Sequence, residues 1–503
     1  MRRFAFLQQP GDSPRISIPL GWVATFLLLT ILASCRPDGI ELSQKYPDYI
    51  GRIMRRNCAT KGCHTQESAE AAAGLNLETW DKLFEGAAGG SPVIPYSPDQ
   101  SYLLYAINTD TSLGPTLAPT MPIGRPALTH AEYMDIRQWI LEGARNEDGK
   151  ERFPAESGRR KWYVANKGCD RVAVVDAESR QIMRYVEVGA NPLALELPHA
   201  LVMSPDQRSF YVIFSMFSPH IEQYSTLTDE KIADISLGHN GWNSMCISPD
   251  GKLGFVVAEQ MREVLVLDLT THQIAAPSVT TFQDVHGPVV HPFQRKLYLP
   301  QPLRSSMYVM TFDQMGVLSN PSTVDLVQGV NPAQPGNLWP YKIVFSPDAS
   351  NYFVACRNSN EVRVFSALND SLIQVIRVGD FPVDLAISAA TGHLLVACQE
   401  DTTFVNGTAT TRGSVSVINL QSGQLARTLY TGFQPGAIGI DPVSGLAVVT
   451  NRNLLGNSSG QHHPSPCGGV NGYLTMIDLQ NLELVNGYKY ELLADPAAVA
   501  VKQ

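Results

Sequence analysis

The sequence has little charge and lacks an apolar run long enough to cross a membrane as a mature helix. Only 17% of its 503 residues are charged, and the formal net charge is −9. An acidic surface argues against nucleic acid as a partner. The apolar segment 21–32 has 12 residues, which is too short to span a bilayer but fits the core of a secretory signal.

Turn-forming residues are abundant in the sequence, in contrast to charged residues. The chain contains 39 glycines and 34 prolines. Low charge combined with many turn formers is typical of turn-rich β structure. The length is sufficient for two or three domains with a large core.

The first residues predict export and a lipid anchor. A basic start (Arg2, Arg3 and Arg15) precedes the apolar segment, which ends in the sequence LASC at Cys35. This ending resembles a bacterial lipobox, which implies that residues 1–34 are a lipoprotein signal peptide and that Cys35 is lipidated. Arg36, at the next position, favours the outer membrane over the inner one. The alternative is an ordinary signal peptide with an incidental cysteine, and both interpretations place the mature chain outside the cytoplasm.

The heptapeptide CATKGCH at 58–64 predicts a haem c site. Two thiols followed directly by a histidine are what covalent haem attachment needs: Cys58 and Cys63 would each bond a vinyl group, and His64 would ligate the iron. Four residues separate the cysteines, where the common spacing is two. The alternatives are a disulfide or half of a zinc site, but the next Cys or His along the chain is His130.

Two helices and a methionine complete the predicted haem domain. Apolar spacing predicts a helix over 46–57, and Thr129 with Glu132 forms a capping-box pattern before a helix over 129–143. Met121, followed by Pro122, lies on a loop between them. A thioether on a loop is a common sixth ligand of haem c, so Met121 is the candidate, although packing in a core is the alternative role.

These segments together resemble the cytochrome c domains that are fused to other modules in bacterial envelope proteins. The residues that carry the resemblance are 58–64, GLNL at 74–77, the Met-Pro pair at 121–122 and QWILEGA at 138–144. The resemblance implies a small all-α domain over 35–145 with one covalent haem c. With His64 and Met121 both bound, the iron would be closed to substrates and would exchange electrons with a redox partner protein.

A polar segment, 146–160, is predicted to be a linker, and beyond it the chain repeats itself. Turns such as Ser204-Pro205-Asp206 and Ser248-Pro249-Asp250 recur about every 40 to 55 residues between alternating apolar strands. Four strands per unit predict an all-β propeller over 161–503, with seven innermost strands counted. The seventh, 497–501, would complete the first blade and close the ring. The sequence YVAN at 163–166 and the segment 188–192 resemble YVTN-type propellers.

Four polar residues are predicted at the mouth of the central channel because they begin innermost strands: His199, Asn243, His286 and Tyr341. They could form a ligand, metal or docking site. The alternative is a water-filled funnel with satisfied polar groups.

The remaining cysteines predict one cross-link. Cys169 and Cys467 occupy equivalent strand connections in the first and last blades, which are neighbours in a closed ring, so a disulfide is expected in an oxidising compartment. A metal site is an alternative for the insertion 453–472, which also holds His462 and His463, although such a loop is usually solvated. Cys246, Cys356 and Cys398 fall in apolar strands and are expected in the core.

The combined pattern favours a membrane-anchored extracytoplasmic cytochrome c that transfers electrons, with the propeller as a docking or ligand-binding module. One alternative is an oxidoreductase with its active site in the propeller; it resembles the nitrite reductases that join cytochrome c to a propeller, although their ring has one blade more. Lactonase-like hydrolysis would need several carboxylates at the mouth, where only Asp384 is expected. A non-redox binding protein would leave the motif at 58–64 without a use.

Overall fold

The structure is a computed structural model that describes residues 45–191, 193–215, 218–281, 283–328, 338–400, 412–454, 465, 467–485 and 489–503. Cys35, the predicted signal peptide, His462 and His463 lie outside these residues. The described residues belong to one compact unit, 44–503. Within the described ranges no helix combines the length and the apolar character that a membrane crossing needs.

The first part of this unit is helical. Its core is built from apolar side chains of all four α-helices. Trp80 is buried in this core and donates from Nε1 to the Ala144 carbonyl at 2.7 Å. Thr129 and Glu132 form the predicted capping box, because each side chain accepts from the other's backbone N–H. The α-helices are Asp48–Asn57, Trp80–Leu83, Tyr102–Ile107 and His130–Leu141, and the 3-10 helices are Glu70–Ala72, Pro98–Gln100 and Thr111–Leu113.

Seven antiparallel sheets follow, each one blade of a propeller, which confirms the predicted fold class. From the innermost strand outward, blades 1 to 3 are Pro496–Lys502, Lys161–Asn166, Arg171–Asp176 and Ile182–Glu187; Pro198–Met203, Ser209–Phe214, His220–Ser225 and Lys231–Ser236; and Ser244–Ile247, Leu253–Ala258, Glu263–Asp268 and Gln273–Thr280. Blades 4 and 5 are Val289–Val290, Lys296–Gln301, Ser306–Thr311 and Ser322–Asp325; and Pro340–Phe345, Asn351–Cys356, Glu361–Ser366 and Leu372–Arg377. Blades 6 and 7 are Pro382–Ser388, His393–Cys398, Arg412–Asn419 and Gln424–Phe433; and Pro435–Asp441, Leu446–Asn451, Asn471–Asp478 and Glu483–Leu484, with Tyr490–Ala494 also paired to the third strand.

The recurring Ser-Pro-Asp turn joins the first and second strands of three blades by the same contacts. In blade 2 the Ser204 hydroxyl donates to Asp206 at 2.6 Å, and the same carboxylate accepts from the Arg208 backbone at 3.1 Å. Ser248 and Ser346 repeat the bond to the aspartate two residues on, also at 2.6 Å. The turn is therefore locally encoded, which is why it marks the period in the sequence.

The ring closes between strands that are distant in the chain. Pro496–Lys502 forms the innermost strand of blade 1, and Trp162 lies opposite Val501 in an antiparallel ladder. This is the closure that the sequence predicts for 497–501. The closure pairs the second strand of blade 1 on both sides, so that strand has no exposed edge that could pair with another chain.

The segment 146–160, predicted as a polar linker, is fixed to both parts of the chain. Phe153 is 4% exposed and packs edge-on against Phe84 of the helical part, with ring centroids 6.0 Å apart. Arg152 pairs with Asp81 at 3.0 Å, and Arg160 pairs with Asp441 of blade 7 at 2.9 Å. A single buried cluster contains side chains of the helical part and of blades 1 and 2, so the two parts share a core.

A disulfide joins Cys169 and Cys467, whose Cα atoms are 5.3 Å apart although 298 residues separate them in the chain. It connects the second-to-third strand turns of blades 1 and 7, beside the strand that closes the ring. Leu493 and Ala494 are buried against it.

Removing this disulfide should destabilise the ring. A Cys169→Ser/Cys467→Ser variant is expected to lose about 2–4 kcal/mol of unfolding free energy, because the cross-link restricts a long loop in the unfolded chain. Chemical denaturation of both proteins, with and without a reductant, measures the loss. The reductant should lower the midpoint of the native protein and leave that of the variant unchanged; equal midpoints for native and variant would contradict the prediction.

Candidate functional site

The helix Asp48–Asn57 delivers the first cysteine of the CATKGCH motif into the core. The backbone N–H of Cys58 donates to the Met54 carbonyl at 2.9 Å, and the Cys58 side chain is buried. The chain then turns back, because His64 N–H donates to the Cys58 carbonyl at 3.2 Å. Cys58 and Cys63 are both free thiols. Burial, and secondarily the nearby Cys63, raises the pKa of the Cys58 thiol to about 11.

His64 is oriented by the GLNL segment. Its Nδ1 lies 3.3 Å from the Leu75 carbonyl, and its own carbonyl accepts from the Leu77 N–H at 2.9 Å. Burial lowers the pKa of the imidazole, while the bond to Leu75 opposes that shift. A carbonyl partner makes Nδ1 the donor, which leaves the lone pair on Nε2 for a metal. The four residues at 74–77 thus set the tautomer of the ring.

Met121 is half-buried and packs against the cluster that contains Cys58. Its backbone N–H donates to the Ala106 carbonyl at 2.7 Å, which fixes the loop to the end of the helix Tyr102–Ile107. One thiol and a thioether therefore border one apolar core, and the second thiol and the imidazole follow in the turn that begins at Cys58. This donor set fits a covalently attached haem c.

At the mouth of the propeller, defined as the end where the innermost strands begin, three of the four predicted residues form one contact series. The rings of His199 and His286 lie edge to face with centroids 6.2 Å apart. His286 stacks on Tyr341 at 4.1 Å. Gly287 has φ +53, and a Cβ there would lie 2.5 Å from the Tyr341 carbonyl oxygen, so only glycine permits this close approach.

The fourth predicted residue, Asn243, is buried and donates to a carboxylate oxygen of Glu259 at 2.8 Å. The expectation that Asp384 is the only carboxylate near the mouth is incomplete, since Glu259 and Asp495 also lie there. Asp384 lies 3.5 Å from Lys342 and accepts from the Ile438 N–H at 2.8 Å.

Sequence reasoning missed the cations of the mouth. Lys167 Nζ lies 3.5 Å from His199 Nδ1. Arg452 pairs with both oxygens of Asp495 at 2.5 and 2.9 Å. The Arg357 guanidinium lies over three aromatic rings, with centroid distances of 4.3 Å to Tyr341, 4.1 Å to Phe381 and 5.0 Å to Trp339.

A positional signal could have found these cations. Each one directly follows the last residue of a second strand, at Asn166, Cys356 and Asn451. Because the second strand runs back toward the mouth, the residue after it reaches the same end of the ring as the first residue of the innermost strand. Glu259, which follows Ala258, obeys the same rule.

The histidines of the mouth are neutral. Burial lowers the pKa of His286 to about 4. Burial, and next the charge of Lys167, also lowers the pKa of His199 well below its usual value. Neither ring therefore adds positive charge near neutral pH.

His220, Glu222 and Asp234 on blade 2 form a further cluster with metal-ligand chemistry. Lys231 occupies its centre, with Nζ 2.6 Å from Glu222 and 3.1 Å from Asp234. Glu222 also accepts from the Tyr224 hydroxyl at 2.7 Å. These contacts already satisfy the carboxylate, so the cluster is a structural ion-pair network.

Comparison with known proteins supports both halves of the chain at the level of fold. A family model of planctomycete cytochrome c matches residues 61–115, which include Cys63 and His64 but neither Cys58 nor Met121. A family model of the seven-bladed β-propeller lactonases matches residues 243–425. No curated protein matches the chain.

Several solved structures share the propeller fold. A functionally unknown protein from Desulfotomaculum acetoxidans aligns with a TM-score of 0.52 at 13% identity, covering 68% of this chain and 98% of that one. A putative 6-phosphogluconolactonase from Bacteroides uniformis gives 0.52 at 14% identity over 68% and 99%. The periplasmic gluconolactonase of Pseudomonas aeruginosa gives 0.50 at 17% identity over 68% and 99%.

Proposed function

We propose that this protein is an extracytoplasmic, membrane-anchored c-type cytochrome that transfers electrons to or from a partner protein, with the propeller as its docking or ligand-binding module. The observation that carries the proposal is the geometry at 58–64: two free thiols beside a histidine whose Nδ1 faces the Leu75 carbonyl. A haem c bound there would supply a one-electron redox centre.

The chain's own residues would hold and shield that centre. Cys58 and Cys63 would anchor it, and His64 would present Nε2 to it in a fixed orientation. The apolar side chains of the same cluster, among them Leu77 and Ile136, exclude water from the core. A dry, rigid surrounding keeps the solvent reorganisation that accompanies electron transfer small.

The connection between the parts suits a docking role for the propeller. Phe153 and its neighbours join the helical part to blades 1 and 2 through one shared core. A partner bound to the ring would then be held at a constant distance from the redox centre. Export is supported by the predicted signal ending at Cys35 and by the disulfide Cys169–Cys467, since disulfides persist in oxidising compartments.

Lactone hydrolysis at the mouth is a second candidate function. It is favoured by the match of 243–425 to the lactonase family model and by a mouth in which Glu259 lies near Tyr341, on which His286 stacks. If it operates, the purified protein should accelerate the opening of D-glucono-1,5-lactone, and Glu259→Gln should reduce the rate. A rate equal to that of the buffer would remove this candidate and leave the electron-transfer proposal unaffected.

Covalent haem attachment is the first prediction of the proposal. Protein made with a periplasmic haem-maturation system should retain haem on a denaturing gel and give a c-type pyridine haemochrome spectrum. The Cys58→Ala/Cys63→Ala variant should lose both signals, because no thioether bond can form. Cys246→Ala removes a free thiol of blade 3 and should keep both signals. A native protein without haem stain would overturn the proposal.

The sixth ligand is tested separately. The reduced native protein should not bind carbon monoxide and should show a low-spin spectrum. The Met121→Ala variant should bind carbon monoxide readily and lose the low-spin spectrum, because the thioether no longer occupies the sixth coordination position of the iron. Met134→Ala is the matched control, since Met134 is 38% exposed on the helix His130–Leu141. If Met121→Ala behaves as the native protein does, Met121 is not the ligand.

A further inference from the structure

The cations of the mouth differ in whether a carboxylate neutralises them. Arg452 is paired with Asp495, and Lys342 lies 3.5 Å from Asp384. Among the residues that the structure describes, Lys167 has no carboxylate within ion-pair distance and contacts His199 instead.

Arg357 is the second cation without a carboxylate within ion-pair distance among the described residues, although Glu259 and Glu400 lie near enough for their charges to oppose the effect of burial on its pKa. Its guanidinium is placed by aromatic rings, and its Nε is buried without a hydrogen-bond partner. Burial lowers the pKa of Arg357, with the charges of Tyr341 and Glu259 acting in the opposite direction. A desolvated N–H donor that lacks a partner costs free energy. A ligand that offers a hydrogen-bond acceptor to this group would recover that free energy on binding.

The two cations are linked across the mouth by ring contacts, although Lys167 follows a strand of blade 1 and Arg357 a strand of blade 5. The contact series runs from Lys167 through His199 and His286 to Tyr341, on which Arg357 lies. Each consecutive pair in this series is in contact or edge to face. The two cations are therefore held at the ends of one continuous row of side chains.

The chemistry of this row favours an anion over a metal ion. A fixed guanidinium offers planar, parallel N–H donors that match the oxygens of a carboxylate or a phosphate. Lys167 adds a second positive charge. His199 and His286 are uncharged, so they can offer hydrogen bonds to a ligand and do not neutralise the two cations. A divalent cation would be repelled by both charged groups.

We propose that the mouth of the propeller binds a ligand with two oxoanion groups, carboxylate or phosphate, one held by Arg357 and the other by Lys167. This inference rests on the ligand-binding role that the proposed function gives to the propeller and names the chemical class of the ligand. It does not require the ligand to be oxidised, reduced or hydrolysed.

Calorimetric titration of the full-length, haem-loaded protein tests the inference, with pyrophosphate in one arm and succinate in the other, since each carries two oxoanion groups. Binding in either arm supports it and identifies the oxoanion. Arg357→Gln and Lys167→Gln should each weaken binding about ten-fold or more, because each removes a charge-assisted hydrogen bond. Arg208→Gln, which changes an exposed arginine at the opposite end of blade 2, should bind as the native protein does.

Two results would overturn the inference: no heat of binding in either arm at millimolar concentrations, or unchanged affinity in both the Arg357→Gln and Lys167→Gln variants. If Arg357→Gln does not fold, Arg357→Lys keeps the charge without the planar fork and should show intermediate affinity. A haem stain of the same samples separates this outcome from a failure of the electron-transfer proposal, because the mouth residues do not contact the motif at 58–64.

Discussion

The structure depends on the antiparallel pairing of Pro496–Lys502 with Lys161–Asn166, which closes the ring. Within the ring each blade packs against its two neighbours, so the mouth has a defined shape only if blades 1 and 7 stay adjacent. The disulfide Cys169–Cys467 and the pair Arg452–Asp495 lie beside this closure and reinforce it. Because Lys167 directly follows one of the two closing strands, the geometry of the mouth is tied to the closure.

The second constraint is the attachment of the helical part to the ring. Phe153 fills the space between Phe84 and blade 1, and arginines on either side of it bind carboxylates of both parts. The segment looks like a linker in the sequence because its polar residues outnumber its apolar ones. In the structure several of those polar residues attach the segment, since Arg152, Arg159 and Arg160 each pair with a carboxylate outside it.

The fold could be predicted because its signals are local and repeat. The Ser-Pro-Asp turn forms its own hydrogen bonds within three residues, so it marks the end of the first strand in three of the blades. The alternating strands and the closure at 497–501 follow from the same period. The role of 74–77 in orienting His64 could be reached only through the family resemblance. Arg357 and Lys167 were missed because only the first residues of the innermost strands, such as His199 and His286, were counted as mouth positions, whereas each of these cations follows the end of a second strand.

The closing strand also imposes an order of events during synthesis. Blade 1 lacks its innermost strand until residues 496–502 have been made, so the ring stays open while the six other blades are already complete. The segment 58–64 emerges long before that moment. It is therefore complete while blade 1 still lacks its innermost strand, and Ala500 of that strand is the last side chain to join the buried cluster that contains Cys58.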